Sequence, residues 1–130
     1  MKKLTAAAVG TFALLASMAI AAPPASAVPA GCGQLTNGQL CSSGGTLGTT
    51  GTYTFTTSYW RTGGSGEITV TLGTQRKNSN ITAFPLWFGS KRTQNGYVEL
   101  KKSHSIDSGD CIRGVMEHNN TTYVTKWRCP

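Results

Sequence analysis

The sequence predicts an all-β protein: a small antiparallel β-sandwich or barrel of about six strands, with an N-terminal disulfide-closed hairpin. Three observations predict it. Beyond residue 52, apolar and polar residues alternate with period two, in a chain rich in Thr, Val, Ile and aromatics. Clusters of Gly, Asn, Ser and Asp punctuate that pattern at intervals of about 10–15 residues, the spacing of short strands in sandwiches and barrels. No stretch of the exported part shows helical periodicity.

The strands follow in order. Residues 52–60 place Tyr53, Phe55, Thr57 and Tyr59 on one face. Residues 67–74 turn Ile68, Val70 and Leu72 inward and Glu67, Thr69 and Thr71 outward. Residues 81–88 are apolar on both faces, but Pro85 lacks a donor and restricts them to an edge or bulged strand. Residues 96–102 turn Val98 and Leu100 inward. Residues 111–118 and 122–129 form a last hairpin around Asn119-Asn120-Thr121. Turns fall at 62–66, 77–80, 93–96 and 107–110.

The N-terminal stretch carries targeting information. Lys2-Lys3, an apolar run from Leu4 to Ala22 and the small-x-small site Ala25-Ser26-Ala27 predict a secretory signal peptide over residues 1–27. Its removal takes away two lysines and no acid, so the formal charge falls from +7 to +5. The expected localisation is extracellular, with no stable membrane insertion. Charged residues are only 13% of the chain, against roughly 25% in an average domain. That excludes a lysine-dense nucleic-acid arm, and no nucleic-acid partner is expected. The basic pairs Arg76-Lys77, Lys91-Arg92 and Lys101-Lys102 are assigned to turns at the two ends of a meander, where they block edge pairing or meet an anionic partner.

Four cysteines in a small exported chain predict two disulfides. No C-x2-C spacing supports a metal, and neither metal nor cofactor is expected. Three connectivities exist, and Cys32–Cys41 with Cys111–Cys129 is favoured. A three-residue loop centred on Asn120 sets Cys111 opposite Cys129 and Arg113 opposite Trp127, a cation–π pair. The first pair encloses Gln34, Leu35, Asn37 and Leu40, with Asn37-Gly38 as a hairpin turn. The Gly/Ser/Thr-rich run 42–51 has linker composition. Three segments result: the signal peptide 1–27, a disulfide-closed knob with tether 28–51, and a β body 52–130. The knob either packs on the body as an edge hairpin or projects into a partner.

Catalytic signals are sparse. His104 and His118, with Glu67, Glu99 and arginines, supply the residue types of a small ribonuclease without a spacing that joins them. Gly63-Gly64-Ser65-Gly66 lacks the helix that a nucleophile elbow needs. No catalytic residue is assigned, and an enzyme is not expected. Aromatic residues say more. In Tyr59-Trp60-Arg61, neighbours face opposite sides of a strand, so one of Tyr59 and Trp60 leaves the core. Exposed Tyr, Trp and Arg dominate interface hot spots. The candidate interface is Tyr59, Trp60, Arg61, Gln34, Leu35, Asn37 and Leu40.

The Tyr59-Trp60-Arg61 triplet resembles the Trp-Arg-Tyr triplet of the Streptomyces α-amylase inhibitors in composition. Its order differs and no cysteines enclose it, so that inhibitor site is not transferred. The chain as a whole resembles small exported two-disulfide β-proteins of Streptomyces and related actinobacteria. Its layout, in Cys32 to Gly51, Cys111-Ile112-Arg113-Gly114 and Lys126-Trp127-Arg128-Cys129, is similar to the small adaptor subunit of Streptomyces umbrella toxin particles. That resemblance implies an adaptor joining a lectin-like subunit to a large toxin polypeptide. The expected function is therefore a secreted, non-catalytic module that binds another secreted protein. The alternatives are an inhibitor of a secreted protease or amylase, or a module binding polysaccharide or cell-wall polymer.

Overall fold

The computed structural model describes residues 30–130, and the predicted signal peptide lies outside the described residues. Eight strands follow in chain order: β1 (Cys32–Leu35), β2 (Gly38–Gly44), β3 (Gly51–Arg61), β4 (Thr69–Lys77), β5 (Leu86–Arg92), β6 (Tyr97–Ile106), β7 (Cys111–His118) and β8 (Thr121–Val124). No helix occurs among the described residues. The strands form two antiparallel four-stranded sheets, in the orders β1-β2-β3-β6 and β5-β4-β7-β8. Two of the eight strands belong to the N-terminal hairpin, and the other six overlap the six segments read as strands, although β5 starts at Leu86 and leaves residues 81–85 of the expected strand 81–88 outside it. The sheets are not closed into a barrel.

Alternation places the inner faces where the pattern predicts. Phe55, Thr57 and Tyr59 are buried from β3, Val70 and Leu72 from β4, and Val98 from β6. The core falls into two clusters. An upper one, at the end where β3 finishes, joins Leu40, Tyr59, Val70, Leu72, Val98 and Met116. A lower one joins Phe55, Ile106 and Ile112. Between them lies a waist of small and hydroxylated residues. Ser42, Thr57, Thr74 and Thr125 are buried. The Thr57 hydroxyl donates to the Gly73 carbonyl of the other sheet at 2.8 Å. Thr74 Oγ1 and His104 Nε2 lie 2.9 Å apart, also across the sheets. A Cβ on Gly114 would sit 3.1 Å from the Thr57 methyl and 3.2 Å from Ser42 Cβ, so the sheets approach closely there. On the outer faces, Thr52 pairs with Ser105, Thr54 with Ser103 and Thr71 with Ser90, at 2.7–2.9 Å. Much of the Thr and Ser in the sequence serves these cross-strand pairs.

Both disulfides form as favoured, Cys32–Cys41 and Cys111–Cys129, with Cα separations of 4.0 and 4.2 Å. The last hairpin corrects one step. Its turn is the two-residue Asn119-Asn120, with φ of 50° and 62°, and Thr121 already pairs with His118. Met116 faces Tyr123 whereas Ile112 faces Arg128, so the returning strand holds one extra residue in between. That insertion restores the register at the base. Cys111 therefore meets Cys129, and the Arg113 guanidinium lies 4.2 Å from the Trp127 ring centre. Regular pairing in β8 stops at Val124 rather than reaching residue 129.

Three further expectations change. The hairpin turn is Thr36-Asn37, because Leu35 pairs with Gly38. Gly38 is needed for another reason: a side chain there would collide with the Trp60 carbonyl of β3. Ser42–Gly44, read as linker, belong to β2 and pair with β3, and Leu47 packs on the lower cluster. The hairpin is thus the outer half of a sheet, not a projecting knob. Lys101-Lys102 lie within β6, an edge strand that continues to Ile106, instead of marking a turn.

Asp110 fixes the lower end. Its side chain is fully buried and accepts from Arg76 Nη1 at 2.9 Å, Asn78 Nδ2 at 3.0 Å and the Asp107 N–H at 2.8 Å. Burial alone would raise its pKa, but these bonds outweigh it and hold the carboxyl below its ordinary value. The folded pKa lies below the unfolded value of roughly 3.9, so the stabilisation is complete above that pH and is lost as pH falls through the folded value. Asp110→Asn is expected to lower stability by about 3 kcal/mol at neutral pH. Urea unfolding at pH 7 and pH 3 should also show a smaller loss on acidification than in the parent protein.

Candidate functional site

A cleft of about 420 Å³ opens at the upper end of the sandwich. The β1–β2 turn brings Gln34, Leu35, Thr36 and Asn37 to one wall, and the end of β3 brings Tyr59 and Arg61. Ile68, just before β4, and Met116, His118 and Tyr123 of the other sheet complete it. The pairing of Gly38 with Arg61 is what sets the hairpin turn beside the end of β3. Five of the seven candidate interface residues, Gln34, Leu35, Asn37, Tyr59 and Arg61, therefore meet in one cleft although 22 positions separate Asn37 from Tyr59. Leu40 does not join them, because it is fully buried in the upper cluster. Trp60 points the other way, 55% exposed on the outer face of its sheet. Its ring packs on Tyr97 at 5.3 Å with a 59° tilt.

The cleft has an apolar floor and a polar rim. Leu35, Ile68 and Tyr123 pack against the cluster that contains Tyr59 and Met116. The Tyr59 hydroxyl lies 3.4 Å from the Asn37 carbonyl, to which it donates. Burial raises its pKa, Arg61 pulls the other way, and the phenol stays protonated at neutral pH. Arg61 Nη2 donates to the Ser65 carbonyl at 3.2 Å, which turns Gly63-Gly64-Ser65-Gly66 into a support for the guanidinium. His118 Nδ1 lies 3.1 Å from the Thr69 carbonyl. Among the described residues, Arg61 is the one arginine or lysine in the lining, and no carboxylate lines the cleft.

That inventory suits an apolar group carrying or neighbouring a negative charge. It does not assemble the ribonuclease residue types. His104 stacks on Phe55 at 4.3 Å near the lower end, while His118 borders the upper cleft. Burial, with Arg76 and Lys102 adding to it, keeps the His104 pKa below its ordinary value, and the Ser105 carbonyl offsets this only in part. Glu67 pairs with Arg92, and Glu99 accepts from Tyr97 and pairs with Lys101. Among the described residues, no group of three or more His, Cys, Asp or Glu is placed to hold a metal ion.

Ile68, Met116, His118 and Tyr123 were not singled out from the sequence as binding residues. They come from other strands, and only the packing of the sheets brings them to Tyr59. The segments behind the adaptor resemblance also take structural positions. Trp127 lies under Lys77 at 4.6 Å and under Arg113, and Arg128 reaches Ser42 Oγ at 3.3 Å. The chain matches no protein-family model, no curated protein and no solved structure.

The neighbours Tyr59 and Trp60 have opposite environments and should respond oppositely to truncation. Tyr59→Ala is expected to cost about 3–5 kcal/mol, as for other buried aromatic residues. Trp60→Ala is expected to cost no more than about 1 kcal/mol. Chemical denaturation of the two variants checks this, and equal losses would contradict the assigned orientation.

Proposed function

We propose that the protein is a secreted, non-catalytic module that binds another secreted protein, in the manner of an adaptor subunit. One observation carries this reading: Gln34, Leu35, Asn37, Tyr59 and Arg61 converge on a cleft with an apolar floor and, among the described residues, one arginine and no carboxylate. Such a lining has no acid–base pair for hydrolysis but suits an anchor residue from a partner. Trp60 and Tyr97 extend the contact area onto the adjoining outer face. Their tilt gives no flat two-ring platform, which favours a protein contact over sugar stacking. Trp60 also pairs within a sheet between Gln39 and Tyr97, not on a protruding loop of the kind an inhibitor inserts. Two disulfides in so small a domain suit an oxidising, extracellular setting.

The test uses the chain, tagged at its C-terminus and expressed in its own host. Recovery from the medium with an N-terminus at Val28 is the expected processing. A second chain is expected to co-elute in fixed ratio during size-exclusion chromatography, and mass spectrometry identifies it. Arg61→Ala should weaken reconstitution of the purified pair by about tenfold or more. Elution of the wild-type chain alone at its monomer mass would count against an adaptor.

A further inference from the structure

The chain between β4 and β5 leaves apolar surface in water that the fold does not need. Phe84 is 95% exposed, Ile81 50% and Leu86 39%. Single exposed apolar residues are ordinary, but three on one short limb mark a contact surface. The limb is also held rigidly. Asn78 Oδ1 accepts from the Asn80 and Ile81 N–H groups at 2.9 and 3.1 Å, and the Asn78 N–H donates to the Ile81 carbonyl. The Ala83 N–H donates to Arg76, and Gln75 Nε2 donates to the Ala83 carbonyl, both at 2.9 Å. Asn78 Nδ2 ties the turn to buried Asp110. The exposure of the Phe84 ring is therefore built into the loop.

The backbone of this limb is half used. Both polar groups of Ala83 face β4, so in an extended chain those of Thr82 and Phe84 face away. The N–H and C=O groups of Thr82 and Phe84 make no backbone hydrogen bond among the described residues. The flanking charge is positive. Lys77 stands opposite Thr82, and Lys102 lies two residues from His104, which shares a recess with Phe84. The nearby acids are engaged by Arg76: Asp110 at 2.9 Å and Asp107 at 3.7 Å.

We infer that Thr82–Leu86 is a second binding surface, which takes an extended segment of an acidic protein partner by strand addition with Phe84 as its anchor. Strand addition satisfies the open backbone groups and places alternate side chains against the partner. A bilayer core offers those groups no hydrogen bonds, and the tip that leads the loop, Asn78-Ser79-Asn80, is polar. A second copy of this chain would bring Lys77 and Lys102 against their equals. The surface lies at the opposite end of the sandwich from the cleft and does not depend on it.

Random peptides displayed on phage are selected on the immobilised full-length secreted chain, and the strongest binders are synthesised and titrated by NMR. The expected binders combine Asp and Glu with alternating apolar residues. They shift the Thr82 and Phe84 amides, slow hydrogen exchange at the Phe84 N–H, and bind Phe84→Ala at least about tenfold more weakly. Lys102→Glu should weaken them as well. Because the ring is in solvent, Phe84→Ala should unfold at the parental urea midpoint, which separates lost binding from lost folding. Three results would overturn the assignment. They are binders that do not discriminate Phe84→Ala, a dimer in sedimentation equilibrium that Phe84→Ala abolishes, and capture of the chain through Phe84 by phosphatidylglycerol-containing vesicles.

Discussion

The close approach of the two sheets at the hydroxylated waist is the constraint on which the rest depends. Thr57 donates across the gap to Gly73, and Thr74 meets His104. Gly114 leaves room for Thr57, Ser42 and Thr125 to sit between the sheets. A buried hydroxyl without a partner costs on the order of 1–3 kcal/mol, so these bonds fix the spacing and relative offset of the sheets. An apolar core running the full length would leave that offset to side-chain packing. Here the waist divides the core into an upper and a lower cluster.

The two ends are completed differently. At the upper end, the N-terminal hairpin lies against β3 with Cys32 and Cys41 directly opposed, and its turn walls the cleft. At the lower end, Asp110 collects Arg76 and Asn78, Cys111–Cys129 ties the last hairpin, and the β4–β5 loop is pinned to the same network. One end therefore holds a cleft with an apolar floor, and the other exposes the apolar limb that carries Phe84.

Much of the fold was legible because period two survives in every strand that is buried on one face. Phe55, Thr57 and Tyr59 share one face as alternation requires, and Val70, Leu72 and Val98 face inward as expected. The pairing of Cys111 with Cys129 and of Arg113 with Trp127 was legible for a narrower reason, since hairpin geometry is local. Even there the turn differs from the three-residue loop: Asn119 and Asn120 both adopt left-handed backbone, and an extra residue farther along restores the register. Residues 81–88 were legible only in part: the strand is at an edge and bulged, as Pro85 implies, but it starts later. Their apolar run suggested a covered strand, but only Leu86–Arg92 pairs regularly, with a bulge at Phe88 that turns this ring to the lower cluster. Phe84 stays outside because Asn78 and Gln75 bond the limb against β4.

For the candidate site, residue chemistry was visible and assembly was not. The sequence by itself determined the strand alternation, the two disulfides and the rule that Tyr59 and Trp60 must face opposite ways. Each of these is local, set by backbone geometry within a strand or across one turn. Tertiary structure alone decided that Tyr59 is the inward member, that Leu40 is core, and that Ile68, Met116, His118 and Tyr123 complete the cleft. It also decided that Phe84 meets solvent. Those outcomes depend on which strands become neighbours and how far apart the sheets lie. That spacing follows from long-range hydrogen bonds between residues such as Thr57 and Gly73, which no local pattern records.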